Sequence, residues 1–247
     1  MTNNNKYKRR PVLHWAALLC FIFGGMTLGA WQAVVHPNTP LPPEWNPIVP
    51  LNVKAPVTGL THWKLTRALA NDDACIAALG TGADIQLKPD FVGDDPKCGI
   101  GPQVLLSGAG GASIKPVNTR CQTALRLAIW AEHGLRPAAQ DLFGQDPKRI
   151  EHFSSYSCRA MRTTSGGAGR MSTHATADAI DISGFILADG TTLSLLRDWK
   201  GNDDKACFLR RANETACQWF CMTLGPEYNS LHADHFHLQN TGFGLCR

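Results

Sequence analysis

Apolar and polar positions recur along this chain with several periods, and each period predicts a different element. Residues 12–35 contain no Asp, Glu, Lys or Arg and include Trp15, Leu18, Leu19, Phe21, Ile22, Phe23 and Leu28. As a helix, this run is about 36 Å long. That exceeds the roughly 30 Å hydrocarbon core of a bilayer, so it can cross with some tilt. A cleavable signal would have a shorter apolar core and a small-x-small site, and Gly29-Ala30-Trp31 is a poor one. A lipoprotein signal would need a small residue before Cys20, where Leu19 stands. The run reads as an uncleaved anchor.

Beyond the anchor, helical spacing covers 60–79 (Leu65, Leu69, Cys75) up to Gly80, and 119–133 (Cys121, Leu125, Ala128) up to Gly134. A third helix is expected over 205–224, stopped by Gly225-Pro226, with Cys217 and Cys221 one turn apart on one face. Segment 98–112 reads as Gly-rich and turn-like around Val104-Leu105-Leu106. Strands are expected at 152–158, 177–187, 191–195 and 235–239, the middle two joined by the hairpin signal Asp189-Gly190. Helices and a hairpin in one domain predict an α+β fold: a small, mainly antiparallel sheet flanked by helices, preceded by a single N-terminal transmembrane helix.

Seven prolines crowd residues 36–58, which excludes a helix and favours polyproline II. The segment reads as a semi-rigid stalk, or as an arm wrapped on the domain and docked through Trp45 with Ile48, Val49 and Leu51 nearby. The expected organisation is a basic tail at 1–10, a transmembrane anchor at 11–36, a Pro-rich stalk at 37–59 and one domain at 60–247. With 44% hydrophobic and 18% charged residues, the 247-residue chain can build a core and is not globally disordered.

Net charge is +4, and Lys6, Lys8, Arg9 and Arg10 supply four positives within the first ten residues. The remainder is near neutral, which argues against a nucleic-acid partner. The basic tail predicts a cytoplasmic N-terminus, so everything after the anchor lies on the outer side. Eight of the nine cysteines are there (Cys75, Cys98, Cys121, Cys158, Cys207, Cys217, Cys221 and Cys246), with Cys20 in the anchor. That count suits an oxidising compartment, the periplasm or a eukaryotic lumen, and allows up to four disulfides in about 105 connectivities.

Histidines and carboxylates concentrate in two segments. In Ser172-Thr173-His174-Ala175-Thr176-Ala177-Asp178-Ala179-Ile180-Asp181, strand alternation puts Ala177, Ala179 and Asp181 on one face and Asp178, Ile180 and Ile182 on the other. The small alanines leave room for His174 to fold back. In His232-Ala233-Asp234-His235-Phe236-His237, His235 and His237 point one way while Phe236 and Leu238 face the core. Two histidines and a carboxylate on facing strands suit an open zinc site with a fourth position left for water. His14, His36, His62, His133 and His152 lack a partner pattern and read as background. His232 reads as a solvated turn residue and Asp178 as a turn or surface acid.

Ser172-x-His174-x-x-Ala177-x-Ala179-x-Asp181 resembles the Ser-x-His-x-x-Gly-x-Ala-x-Asp signature of zinc D-Ala-D-Ala peptidases and murein endopeptidases, with Ala177 where Gly is usual. His235-x-His237 resembles the His-x-His of the endopeptidase branch. Tyr156-Ser157-Cys158-Arg159, Asp198-Trp199, Leu224-Gly225-Pro226 and His232-x-Asp234-His235-Phe236-His237-Leu238 are similar to the bacterial extensin-like C-terminal domain family over about residues 70–247.

The resemblance implies His174, Asp181 and His237 as zinc ligands and His235 beside the bound water. It implies Arg159 facing the scissile carbonyl, with Arg162 and Arg170 as rivals. Asp234 is an alternative base, but strand parity favours His235 and leaves Asp234 to orient a histidine. The expected function is a zinc hydrolase of peptidoglycan peptide bonds, anchored in the bacterial inner membrane with its C-terminal domain in the periplasm. Its alternatives are a non-catalytic cell-wall-binding domain and a eukaryotic Golgi enzyme, for which Asn213-Glu214-Thr215 is a lone glycosylation sequon.

Overall fold

A computed structural model describes residues 9–164 and 166–247. The basic tail falls, over residues 1–8, outside the described residues. Helix α1 (Arg9–Val35) contains the stretch His14–Val35, which is long and apolar enough to cross a membrane. Its apolar side chains, Phe21 and Phe23 among them, are exposed.

The proline-rich segment docks as an arm. Leu51 and Val53 are buried in the core. The Val53 N–H donates to Thr81 Oγ1 at 2.8 Å, and the Val53 carbonyl meets His133 Nε2 at 2.7 Å. Lys64 Nζ donates to the Pro43 carbonyl at 2.6 Å. Trp45, expected to be the docking residue, stays half exposed. The anchoring contacts are the smaller aliphatics, which enter the core without an indole N–H to satisfy.

The expected helix over 60–79 is two helices, α2 (Thr61–Leu69) and α3 (Asp72–Leu79). Asn71 breaks it, because its side chain caps α3 by accepting from the Ala74 N–H at 2.9 Å. Next come β1 (Ala83–Leu87), β2 (Phe91–Val92), β3 (Gly99–Ile100), β4 (Gln103–Ala109) and β5 (Ala112–Arg120). The stretch read as a turn around Val104 is therefore mostly strand. Helix α4 (Cys121–Trp130) continues through one π turn, Ala131–Leu135, into α5 (Arg136–Phe143). Gly134 does not stop it. A Cβ there would lie 2.7 Å from Thr215 Oγ1 and from the Trp130 ring, so glycine serves close packing. The left-handed cap is Gly144, at φ 64°.

The remaining elements are β6 (Pro147–His152), β7 (Ala160–Thr163), β8 (Gly166–Met171), β9 (Ala179–Leu187), β10 (Thr192–Ser194), α6 (Leu195–Asp198), α7 (Asp204–Trp219), β11 (Met222–Leu224), β12 (Phe236–Gln239) and β13 (Leu245–Cys246). The strand expected at 152–158 ends at His152, since residues 153–158 leave the ladder to wrap the site. Helix α7 ends five residues short of the expected 224, because Met222–Leu224 pairs with β12 and β13 instead.

Among the described residues, nine strands form one sheet in the order β1-β4-β5-β6-β9-β12-β11-β13, with β10 paired to β9. Only β5–β6 and β11–β13 are parallel. The expected β9–β10 hairpin is present, with Gly190 at φ 91° in its turn. The core lies where the sheet meets α4 and α7. There Phe185 stands edge-on to Trp130 (6.0 Å between centroids) and to Phe208 (5.3 Å). The fold is the expected α+β.

Three disulfides close the domain: Cys75–Cys121, Cys98–Cys158 and Cys217–Cys246. The possible fourth is not formed. Cys207 and Cys221 are free, separated by the length of α7.

Candidate metal centre

Strands β9 and β12 run antiparallel with Asp181 directly opposite His237. Alternation sends Ile180, Ile182, Phe236 and Leu238 into the core, all fully buried. Asp181 and His237 therefore emerge together on the other face. His174 comes from the 3-10 turn Thr173–Thr176, whose N-terminus is capped by Ser172. Directly after Thr176 the chain turns back through Ala177 in the left-handed conformation (φ 50°, ψ 29°). Glycine adopts that conformation freely, whereas alanine adopts it at some cost.

The three side chains converge. His237 Nδ1 lies 2.9 Å from Asp181 Oδ1 and 3.1 Å from His174 Nε2, and His174 Nε2 is 3.2 Å from Asp181 Oδ1. The partners on the far side of each ring set which nitrogen carries hydrogen. His174 Nδ1 donates to the Ser155 carbonyl at 2.9 Å, leaving Nε2 as a lone pair. His237 Nε2 faces Gln239 Oε1 at 3.2 Å. That amide is oriented by its Nε2, which donates to the Thr241 carbonyl at 2.6 Å, and by Thr173 Oγ1, which donates to its Oε1. In the neutral imidazole, His237 Nδ1 is then also a lone pair.

Two nitrogen lone pairs and a carboxylate oxygen thus face one another with no hydrogen between them. Such a cluster repels itself unless a cation occupies its centre. Ligands about 2.0–2.1 Å from a tetrahedral zinc stand about 3.4 Å apart, close to the separations here. The N2O donor set fits zinc. Burial alone would raise the Asp181 carboxyl, but without a metal the facing imidazole nitrogens can carry a proton in its place, and their hydrogen bonds and charge then hold the carboxyl well below the usual carboxylate range.

His235 Nδ1 donates to Asp234 Oδ1 at 2.8 Å, so Nε2 is its basic atom, 3.6 Å from Asp181 Oδ1. Asp234 orients this histidine rather than a ligand. Phe153 stands edge-on to the His235 ring at 5.7 Å.

Asp178 is buried, not a surface acid. Arg120 Nη1 meets both its carboxylate oxygens (3.1 and 3.0 Å), and Thr176 Oγ1 donates to it at 2.6 Å. His232 is not a solvated turn residue either. Its ring lies 5.3 Å from that of His235 and 5.8 Å from that of His237, and Nδ1 meets Asn229 Oδ1 at 2.8 Å. Burial first, then the charges of His237 and His235, push its pKa down to about 4. The available signal was three histidines within six residues.

The site opens into a cleft of about 760 Å³, lined also by Arg159, Arg162, Arg170 and Tyr228. Arg159 is half-buried, and its Nη1 donates to the Ala160 carbonyl at 3.3 Å. All three arginines border the cleft, so geometry does not single out Arg159 from its rivals. His36, His62, His133 and His152 lie outside this site. His62 stacks on Trp219 at 4.8 Å, and His152 Nε2 meets the Lys115 carbonyl.

No curated protein and no solved structure matches the chain. Residues 73–247, which hold every residue of this site, match the family described as extensin-like protein C-terminus, and the chain belongs to that family.

Proposed function

We propose that this protein is a zinc-dependent hydrolase of peptide bonds in peptidoglycan, held by α1 at the outer face of a bacterial inner membrane with its domain in the periplasm. The observation that carries the reading is the set of three lone-pair atoms on His174, Asp181 and His237, the two histidines fixed by their outer hydrogen-bond partners, opening on a large cleft. The resemblance of the His174–Asp181 segment to zinc peptidases supplies the substrate class. Zinc held by these three residues would supply Lewis-acid polarisation of the scissile carbonyl and acidify water toward neutrality.

The chain's own residues do the rest. His235 Nε2, aimed by the hydrogen bond from Nδ1 to the Asp234 carboxylate, takes the proton of the attacking water and returns it to the leaving amine. An arginine of the cleft, Arg159 or its neighbours Arg162 and Arg170, stabilises negative charge growing on the carbonyl oxygen. Phe153 packs on His235 and limits its rotation.

The test begins with zinc content of the full chain in detergent, by elemental mass spectrometry. About one zinc per chain, lost in His237→Ala, supports the reading. Zinc-loaded protein incubated with isolated cell-wall sacculi should then release new amino groups. The rate should fall about 10²–10⁴-fold in His235→Ala. Bound zinc without any release would replace hydrolysis with a wall-binding role.

A further inference from the structure

A second cleft, of about 400 Å³, adjoins the metal centre at Phe153. It opens where β5 and β6 part. The two strands are in register at Ser113↔Arg149 and Ile114↔Ile150, after which only His152 Nε2 and the Lys115 carbonyl join them, at 2.8 Å. The segment that borders it is tied to the metal ligand: the Phe153 N–H donates to the Asp181 carbonyl at 2.9 Å, and the Asp181 N–H donates to the Ser154 carbonyl at 3.0 Å.

The lining is chemically particular. Phe91 and Phe153 are 42% and 55% exposed, and Tyr156 stands edge-on to Phe91 at 5.2 Å. Gln103 and Asn118 share this lining, and their side-chain amides make no hydrogen bond among the described residues. Lys115 is the one charged group lining the cleft, and no carboxylate does.

Exposed rings present flat apolar faces of the kind that the C–H face of a pyranose covers. Planar amides bridge adjacent hydroxyl or acetamido groups. An extended peptide would instead use free backbone groups along a strand edge, and the Lys115 carbonyl there is already taken by His152. A volume of about 400 Å³ lies within the range of small-ligand sites.

We propose that this cleft is a carbohydrate subsite that takes one or two pyranose rings of a neutral glycan strand. Its role of presenting the attached peptide to the metal centre across Phe153 rests on the cell-wall reading above. The sugar binding itself does not.

The test is calorimetric titration of chitotetraose into the full chain, in a zwitterionic detergent without a sugar headgroup, with zinc and after chelation. The expected result is saturable binding, equal in both states and unchanged in His237→Ala. Phe91→Ala and Asn118→Ala, both at exposed positions, should each weaken it about tenfold. Absence of saturable binding overturns the proposal, as does binding that neither substitution alters. So does a wall stem pentapeptide that binds in place of the sugar and is lost in Phe91→Ala. A chain that binds the sugar yet neither holds zinc nor hydrolyses wall would sink the hydrolase reading and leave this subsite standing.

Discussion

The Nε2 of His237 is aimed at the Oε1 of Gln239, 3.2 Å away and two residues further along the same strand. Side chains at i and i+2 share a face, so β12 carries both the proposed ligand and the group that fixes its tautomer. Gln239 is itself held by Thr241 and Thr173. Replacing Gln239 by Ala should lower zinc affinity about 10–100-fold with little change in fold. Competition with a chromophoric chelator measures it, and wild-type affinity in the variant would remove Gln239 from the account.

Stability of the zinc-free protein should depend on acid through two groups in different windows. His232 has a folded pKa of about 4 against an ordinary 6.5. As pH falls below 6.5 the unfolded chain takes up this proton first, so stability drops between about pH 6.5 and 4 and no further from this group. Asp181 is depressed, so its contribution is full above the ordinary carboxylate range and is lost as pH falls through its lower folded value. Urea midpoints across pH should therefore show a shallower slope between 6.5 and 4 in His232→Gln. The same slope as wild type would refute the assignment.

The Arg120–Asp178 pair ties the end of β5 to the turn that carries His174. Asp178 is buried and Arg120 about a third exposed. Asp178→Ala should therefore cost about 3 kcal/mol, at the lower end for a broken buried pair. Denaturant titration reads this directly. A loss under about 0.5 kcal/mol would make the pair no more than a surface contact.

At Ala177 the backbone is left-handed and the side chain fully buried. Glycine there relieves the strain but gives up a buried methyl, so Ala177→Gly should change stability by less than about 1 kcal/mol. A β-branched residue is excluded from this conformation, so Ala177→Val should be far less stable and lose metal affinity with it. Equal stability of the Gly and Val variants, read by thermal melting, would contradict the turn geometry.

Thiol labelling without reductant should find two reactive cysteines beyond α1, with exposed Cys207 reacting ahead of half-buried Cys221. Cys246→Ser, which opens the Cys217–Cys246 loop, should cost about 2–4 kcal/mol. Detection of a fourth intramolecular disulfide by peptide mapping would overturn the pairing.

Much of the site was legible because β-strand alternation is a local rule. It sent Phe236 and Leu238 inward and brought His235 and His237 out, and it put Asp181 opposite the buried Ile180 and Ile182. Gly134 misled as a helix stop because a glycine selected for close approach to Thr215 looks the same in sequence as one selected for a cap. The end of α7 misled for a related reason. Met222–Leu224 continues a helical pattern, and only its partners on β12 and β13 make it a strand.

Read by itself, the sequence determined the apolar run of α1, the mixed α+β class, the hairpin at Gly190 and the face of β9 and β12 on which Asp181 and His237 emerge. Each follows from spacing within a few residues, where backbone geometry dictates which side chains share a face. The tertiary structure alone decided which cysteines pair, that the proline-rich arm docks through Val53, that His232 joins the site, and which nitrogen of His174 and His237 is left bare. Those outcomes join positions far apart in the chain, such as Ser155 with His174 and Val53 with His133. Contacts at that separation are set by how the whole core packs, and no local period records them.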